Sequence, residues 1–200
     1  MIGVGTILKI KRYLTIIIVL LITLLVSLIS NGTQEIQKAN YELFTVDRIK
    51  EGYHLFTNKD ENFIVNTYIS KLSFEENEEI DIFSTLEYIG KKKSVQIWSV
   101  GHSYFNHNIF DGSINYHKNI VLTILTTTRL IKGETYILPF IKEGSYTDDP
   151  KDEFWKKYYT EKELKLPSGN YTFTASTGFS LDEDLKEHVN LENKFKVSVQ

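Results

Sequence analysis

Hydrophobic and polar residues alternate along most of the chain after residue 61. The alternation is cleanest at the end, where Phe195, Val197 and Val199 are separated by lysine and serine. Successive side chains of a β-strand point to opposite faces, so a period of two predicts strands with one buried face. Eight segments show this pattern and are predicted to be strands: 62–74, 79–90, 94–100, 103–110, 119–128, 135–141, 170–177 and 193–200.

The alternation also assigns residues to faces of the predicted strands. In the first segment one face carries Phe63, Val65, Thr67 and Ile69. In the second segment the corresponding face carries Ile80, Ile82, Ser84, Leu86 and Tyr88.

The segments between these strands are mostly short and rich in Gly, Asn, Asp or charge, which is typical of turns. Many short strands with little helix predict an all-β protein, an antiparallel β-sandwich. The exception is 148–164, which predicts one short helical insertion. Asp149 suits an N-cap and Pro150 the first helical position. Phe154, Tyr158 and Tyr159 are predicted to share its packed face.

The N-terminal region predicts a membrane or signal helix. Lys9, Lys11 and Arg12 precede an uncharged apolar run, 13–30. Eighteen helical residues span about 27 Å, close to the hydrocarbon thickness of a bilayer. Basic residues before the run place the N-terminus in the cytoplasm and the remainder of the chain outside.

Two interpretations of this region remain open. In one, 13–30 is an uncleaved single-pass anchor that leaves the C-terminal domain outside the cell membrane. In the other, the segment is a signal peptide and the protein is secreted after cleavage near Gly32, because small residues surround that position. The predicted organisation is 1–32 signal or anchor, 33–61 tether with short elements, and 62–200 sandwich.

Composition narrows the function classes. The formal net charge is −3 and the chain has no Cys. A protein that binds nucleic acid needs a basic surface, so we expect no nucleic-acid partner. Without Cys there are no disulfides, thiolate metal sites or Cys nucleophiles.

Motifs for catalysis or transition metals are not found in the sequence. It contains neither G-x-S-x-G nor H-E-x-x-H. His102 and Ser103 are neighbours, and neighbouring strand residues face opposite ways. His107 and His117 flank a predicted hairpin, yet two ligands are too few for a transition metal, and we interpret them as hairpin or surface residues. We predict no enzyme, no catalytic residues, no cofactor and no metal.

Two groups of acidic residues are candidate ligands for calcium. One group contains Asp148, Asp149, Asp152 and Glu153, and the other is Asp182, Glu183 and Asp184. Calcium takes six to eight oxygen ligands, but neither group has EF-hand spacing. Helix capping and solvated turns are the alternative explanation, and the one we favour.

Exposed aromatic residues offer the candidate binding surface. Trp98 with Tyr104 is one candidate patch. Trp155 is predicted to lie off the packed face of the helix, where it is a candidate anchor for a partner. The alternative for each residue is packing in the core.

Several stretches together resemble known exported domains. The stretch 72–90 resembles a strand pair of bacterial Ig-like modules. The stretches SYFNHNIFDGSIN, TRLIKGETYILPF and LPSGNYTFTAST resemble, in that order, three strands of the BsuPI-type proteinase-inhibitor family. The chain is also similar overall to exported Bacillus-type proteins without an assigned activity. The likeness covers roughly 62–200, but the helical insertion departs from the family and no inhibitory loop can be placed.

The resemblance implies an Ig-like antiparallel sandwich. Together with the predicted export, it favours a non-enzymatic extracytoplasmic binding module of the bacterial cell envelope. The expected partner is an extracellular protein or an envelope polymer. The alternative that the family implies is an extracellular proteinase inhibitor.

Overall fold

The computed structural model describes residues 52–100, 104–116, 124–142 and 144–200. All of them fall within one compact unit, Arg48–Gln200. The predicted anchor or signal segment, 1–32, lies outside the described residues. Within the described ranges, no helix is long and apolar enough to cross a membrane.

The described part of the chain is mostly β-structure with one short α-helix, as the alternation predicts. The strands are β1 (His54–Lys59), β2 (Phe63–Ile69), β3 (Ser73–Phe74), β4 (Ile82–Tyr88), β5 (Ser94–Val100), β6 (Phe105–Phe110), β7 (Leu125–Ile131), β8 (Thr135–Pro139), β9 (Gly169–Thr177), β10 (Phe179–Ser180), β11 (His188–Val189) and β12 (Glu192–Val199). A 3-10 turn (Pro150–Asp152) leads into helix α1 (Glu153–Thr160).

The strands form three four-stranded sheets. The first has the order β1-β2-β4-β8, the second β3-β12-β9-β6, and the third β11-β10-β5-β7. Paired strands are antiparallel except β3 and β12, which run parallel. The mostly antiparallel, sandwich-like arrangement agrees with the sequence analysis, and the parallel pair is the exception to it.

Some strand boundaries differ from the predicted ones. The predicted strand 62–74 is two strands, because the chain leaves the first sheet after Ile69 and β3 joins the second sheet. Strand β1 begins at His54, inside the segment assigned to a tether, and pairs with β2 along its whole length. The two-residue strands β10 and β11 were not predicted. Residues 119–123 and 103 of two predicted strands lie outside the described part.

The predicted inner faces are confirmed. The four residues assigned to one face of β2 are all buried, as are the five assigned to the second segment. In β12, Phe195, Val197 and Val199 are buried while Lys194 and Lys196 are exposed. The alternation therefore identified the core side of β2 and β12, whereas β4 is buried on its other face as well, at Phe83 and Thr85.

Both ends of the helical segment are held by polar side chains. Asp149 caps the 3-10 turn, since its Oδ1 accepts from Lys151 N at 2.9 Å. Pro150 is the first residue of that turn, as predicted. At the other end, Lys142 Nζ donates to the carbonyl oxygens of Tyr158, at 2.6 Å, and Glu163, at 2.7 Å. A lysine suits this position because the last carbonyls of a helix lack partners within the helix.

The buried apolar residues form two clusters. One contains Ile69, Phe74, Ile80, Ile82, Ile109, Tyr116, Tyr158, Leu164, Leu166, Tyr171, Phe173, Phe195, Val197 and Val199. The other contains Phe63, Val65, Leu86, Tyr88, Ile97, Phe105, Leu130, Leu138, Ala175, Phe179, Val189 and Leu191. Strands β2, β4, β6 and β9 each contribute to both clusters.

A chain of four buried polar side chains lies between these clusters; we call it the polar chain. Asn193 Nδ2 lies 3.0 Å from Thr67 Oγ1, Thr67 Oγ1 lies 3.0 Å from Ser84 Oγ, and Ser84 Oγ lies 2.9 Å from His107 Nε2. Asn193 and His107 belong to the second sheet, where both are in register with Ala175. Thr67 and Ser84 are register partners in the first sheet. The polar chain therefore links the two sheets by hydrogen bonds through their shared core.

His107 corrects the prediction of a hairpin or surface histidine. Only 6% of the residue is exposed. Its ring packs near Phe105 and Phe140, with centroid distances of 5.1 and 5.6 Å. The alternation of β6 was visible in the sequence, and His107 is in phase with Phe105 and Ile109 on the buried face.

Candidate functional site

A cavity of about 270 Å³ opens at the surface beside Lys91 and Lys92, and we call it the lysine cavity. It lies where the turn before β2, the turn between β4 and β5, and the segment after β10 meet. Its lining residues are Glu61, Asn62, Phe63, Tyr88, Lys91, Lys92, Val95 and Leu181.

Hydrogen bonds fix the two turns that border the lysine cavity. Asp60 Oδ1 accepts from the backbone N–H groups of Asn62 and Phe63, both at 2.7 Å. The carbonyl of Asn62 then accepts from Ile89 N at 2.7 Å. A side chain that accepts from the backbone two and three residues ahead stabilises a tight turn. The position of one turn is thereby tied to the other.

Gly90 allows the second turn to lie directly on Tyr88. A Cβ at this position would come within 2.5 Å of the Tyr88 ring and 2.7 Å of Asn62 Oδ1. Lys92 N also donates to the Tyr88 hydroxyl at 3.2 Å. The close approach brings Lys91 and Lys92 to the lining of the cavity.

The walls of the lysine cavity are apolar and well supported. Phe63 and Tyr88 belong to the second apolar cluster, and their ring centroids are 5.4 Å apart. Val95 and Leu181 are partly buried and pack against the same cluster. Concave sites with apolar walls and a few polar groups are typical of small-molecule binding.

The charges at the lysine cavity are not balanced by ion pairs. Lys91 and Lys92 form no ion pair with any residue in the described ranges. In contrast, Lys71 pairs with Glu78 elsewhere on the surface. Glu61 is the single carboxylate of the lining. The lining therefore carries two positive charges and one negative charge at neutral pH.

The predicted patch of Trp98 and Tyr104 is not one surface. Trp98 is half-buried on β5 and is in register with Ser180 of β10. Tyr104 packs with Phe179, the residue before Ser180, at a centroid distance of 6.4 Å. Consecutive strand residues face opposite ways, so Trp98 and Tyr104 lie on opposite sides of β10. Burial raises the pKa of Tyr104 to about 12, which fits its partly buried position against the second apolar cluster.

Trp155 lies in an aromatic group at α1 rather than off its packed face. Its ring centroid is 5.4 Å from that of Tyr116 and 5.8 Å from that of Tyr159. Phe154, predicted to lie on the packed face, is 41% exposed. Tyr158 is buried, and burial raises its pKa above the usual range. The more exposed large aromatic residue of the helix is therefore Phe154.

The two acidic groups make hydrogen bonds within their own segments. Asp152 Oδ2 accepts from Thr147 N at 2.9 Å, while Asp149 caps the 3-10 turn. Asp182 accepts from the backbone N–H groups of Glu187 and Lys186, and these bonds lower the pKa of its carboxyl. Capping and turn formation thus account for these three carboxylates.

The described residues contain no group of three or more His, Asp or Glu side chains arranged to hold a metal ion. His102 and His117 lie outside the described part of the chain, so the interpretation of His117 as a hairpin or surface residue stays a prediction. Lys91 and Lys92 lie between the predicted strands 79–90 and 94–100 and were not predicted to be site residues. A run of lysines beside a glycine was the available signal, but the apolar walls come from distant segments.

Comparisons of the chain with protein-family models, curated proteins and solved structures found no match. The resemblance to BsuPI-type inhibitors and to exported Bacillus-type proteins therefore stays a prediction. The fold and the site define the molecule as a mostly-β, sandwich-like protein with a lysine-bordered, apolar-walled surface cavity.

Proposed function

We propose that this protein is a non-enzymatic binding module and that the lysine cavity is its ligand site. The observation that carries the proposal is the combination of apolar walls with two lysines that lack ion-pair partners among the described residues. Apolar walls favour the transfer of a hydrophobic group from water, and the few charges orient it.

We further propose that the sheets form an Ig-like sandwich and that the module works outside the cytoplasm. The three sheets and the short helical insertion at α1 support the sandwich. The apolar run 13–30, preceded by Lys9, Lys11 and Arg12, supports attachment to the cell membrane or secretion.

A filled-cavity variant tests the binding function. Val95 lines the cavity near the start of β5, while Val100 is exposed at the end of the same strand. We would screen a library of small fragments against the full chain by saturation-transfer NMR. Fragments are expected to bind the wild type and the V100F control and to be lost from V95F. A screen in which V95F and V100F retain the same fragments would contradict the proposed site.

The inhibitor function that the family resemblance implies stays a second proposal. We expect such an inhibitor to reduce the hydrolysis rate of secreted serine or metalloproteases when the full chain is in molar excess. Unchanged rates across a panel of both protease classes would exclude it. This assay is independent of the lysine cavity, so the two proposals can be separated.

A further inference from the structure

We infer that the ligand of the lysine cavity is a small molecule with one negatively charged group attached to a compact apolar body. This inference rests on the proposed binding function and names the chemistry of its ligand. A carboxylate is the simplest group that fits, and Lys91 and Lys92 are the residues that would bind it.

The charges of the lining indicate that the ligand carries a negative charge. The two lysines exceed the single carboxylate, Glu61, by one positive charge. The surface lysines Lys71 and Lys186 pair with carboxylates, whereas Lys91 and Lys92 form no ion pair with any other described residue. A bound anion would offer these two ammonium groups charge-assisted hydrogen bonds that the described residues do not supply.

The volume and the walls of the cavity indicate which apolar body the ligand can have. The volume of about 270 Å³ exceeds the roughly 150 Å³ of a protein cavity that binds benzene. One aromatic ring or a short branched chain is a suitable body for this space. Phe63 and Tyr88 are buried beneath the cavity and support its lining, while the partly buried Val95 and Leu181 offer accessible apolar surface to the body.

A matched series of probes tests the inference. The probe is 3-phenylpropanoate, and the comparison compounds are 3-phenylpropanol, 3-phenylpropylammonium and acetate. Affinities for the full chain would be measured by calorimetry or ligand-observed NMR. We expect 3-phenylpropanoate to bind at least about tenfold more tightly than each comparison compound, and to weaken as salt is raised.

Charge-reversal variants identify the residues responsible. K91E/K92E changes two exposed turn residues, and K194E/K196E makes the same change in charge on the exposed face of β12. Affinity for 3-phenylpropanoate is expected to fall about tenfold or more in K91E/K92E and to stay within about twofold in K194E/K196E. The neutral variant K91Q/K92Q should also lose affinity, while E61Q should gain it.

Two outcomes would overturn the inference. If 3-phenylpropanol binds as tightly as 3-phenylpropanoate and K91E/K92E is unaffected, the cavity binds ligands without selecting anions. If none of the four compounds binds while V95F removes other fragments, the ligand chemistry is wrong and the binding function stands. The proposed function itself fails only if V95F and V100F are also indistinguishable in the fragment screen.

Discussion

The polar chain in the core and the lysine cavity at the surface differ in whether their polar side chains have partners within the protein. In the polar chain, Asn193, Thr67, Ser84 and His107 each lie within hydrogen-bond distance of another member. At the lysine cavity, the ammonium groups lack ion-pair partners among the described residues. The first arrangement is complete within the protein, whereas the second offers its charge to a ligand.

This difference separates structural from functional polar groups. A buried polar group without a partner costs roughly 1–3 kcal/mol, so a buried set must be nearly complete to be tolerated. An exposed lysine has water as a partner and carries little such cost. We therefore expect substitutions in the polar chain to change stability, and substitutions at the cavity to change binding.

The largest stability effect is expected for Asn193→Ala. The side-chain amide donates to the carbonyls of Phe56 and Val65 as well as lying near Thr67. Its removal deletes all three of these contacts, which join the two sheets, so we expect a loss of about 3 kcal/mol in the free energy of unfolding. Urea unfolding measures this loss of stability. The control is N190A, which removes the side chain of an exposed asparagine. Equal midpoints for N193A and N190A would show that the polar chain does not stabilise the fold.

A smaller loss is expected for Ser84→Ala. The hydroxyl of Ser84 is the link between Thr67 and His107. Removing it leaves each neighbour with one bond fewer, for a cost of about 1.5 kcal/mol. The control is S73A, at an exposed serine of β3. A midpoint for S84A that equals that of S73A would contradict this prediction.

A pH-dependent effect is expected at Tyr104. Its pKa is raised by burial to about 12, whereas an unfolded tyrosine ionises near 10. The contribution of Tyr104 to stability is thus fully present below pH 10 and is lost as pH rises toward 12. The stability difference between wild type and Y104F should shrink by up to about 1 kcal/mol from pH 8 to pH 11. If the stability difference between wild type and Y104F did not depend on pH, the Tyr104 hydroxyl would be exposed to water. The control for the substitution itself is Y146F.

The smallest effect is expected for the free energy of unfolding of K91E/K92E. Both lysines are exposed, and the bond from Lys92 to Tyr88 uses the backbone N–H, which the substitution keeps. We expect the free energy of unfolding, measured by urea unfolding, to change by no more than about 0.5 kcal/mol. A loss comparable to that of S84A would mean that these lysines are structural.

The sequence predicted the inner faces of β2, β4 and β12 because one buried face imposes a period of two. It placed Thr67 and Ser84 on those faces, but the hydrogen bonds between them depend on strand register. The register of β2 against β4, and the approach of β6 from the second sheet, arise from contacts distant in the chain. No local pattern contains that information.

The lysine cavity was missed for the same physical reason. Its lining combines Glu61, Lys91 and Leu181, which belong to three separate segments. Aromatic side chains were considered as binding residues, yet Tyr104 and Trp155 pack with other aromatic residues. Residue type alone does not distinguish an exposed aromatic anchor from one that completes a core.

The position of β12 in the second sheet sets the order in which the protein is completed during synthesis. β12 lies between β3 and β9, and both of these strands are made earlier. β3 hydrogen-bonds to β12 alone in this sheet, with Ser73 opposite Ser198. A growing chain that has emerged from the ribosome only to β9 therefore lacks the central strand and exposes two unpaired edges. Such intermediates are prone to association, so the growing chain benefits from chaperones until β12 has emerged.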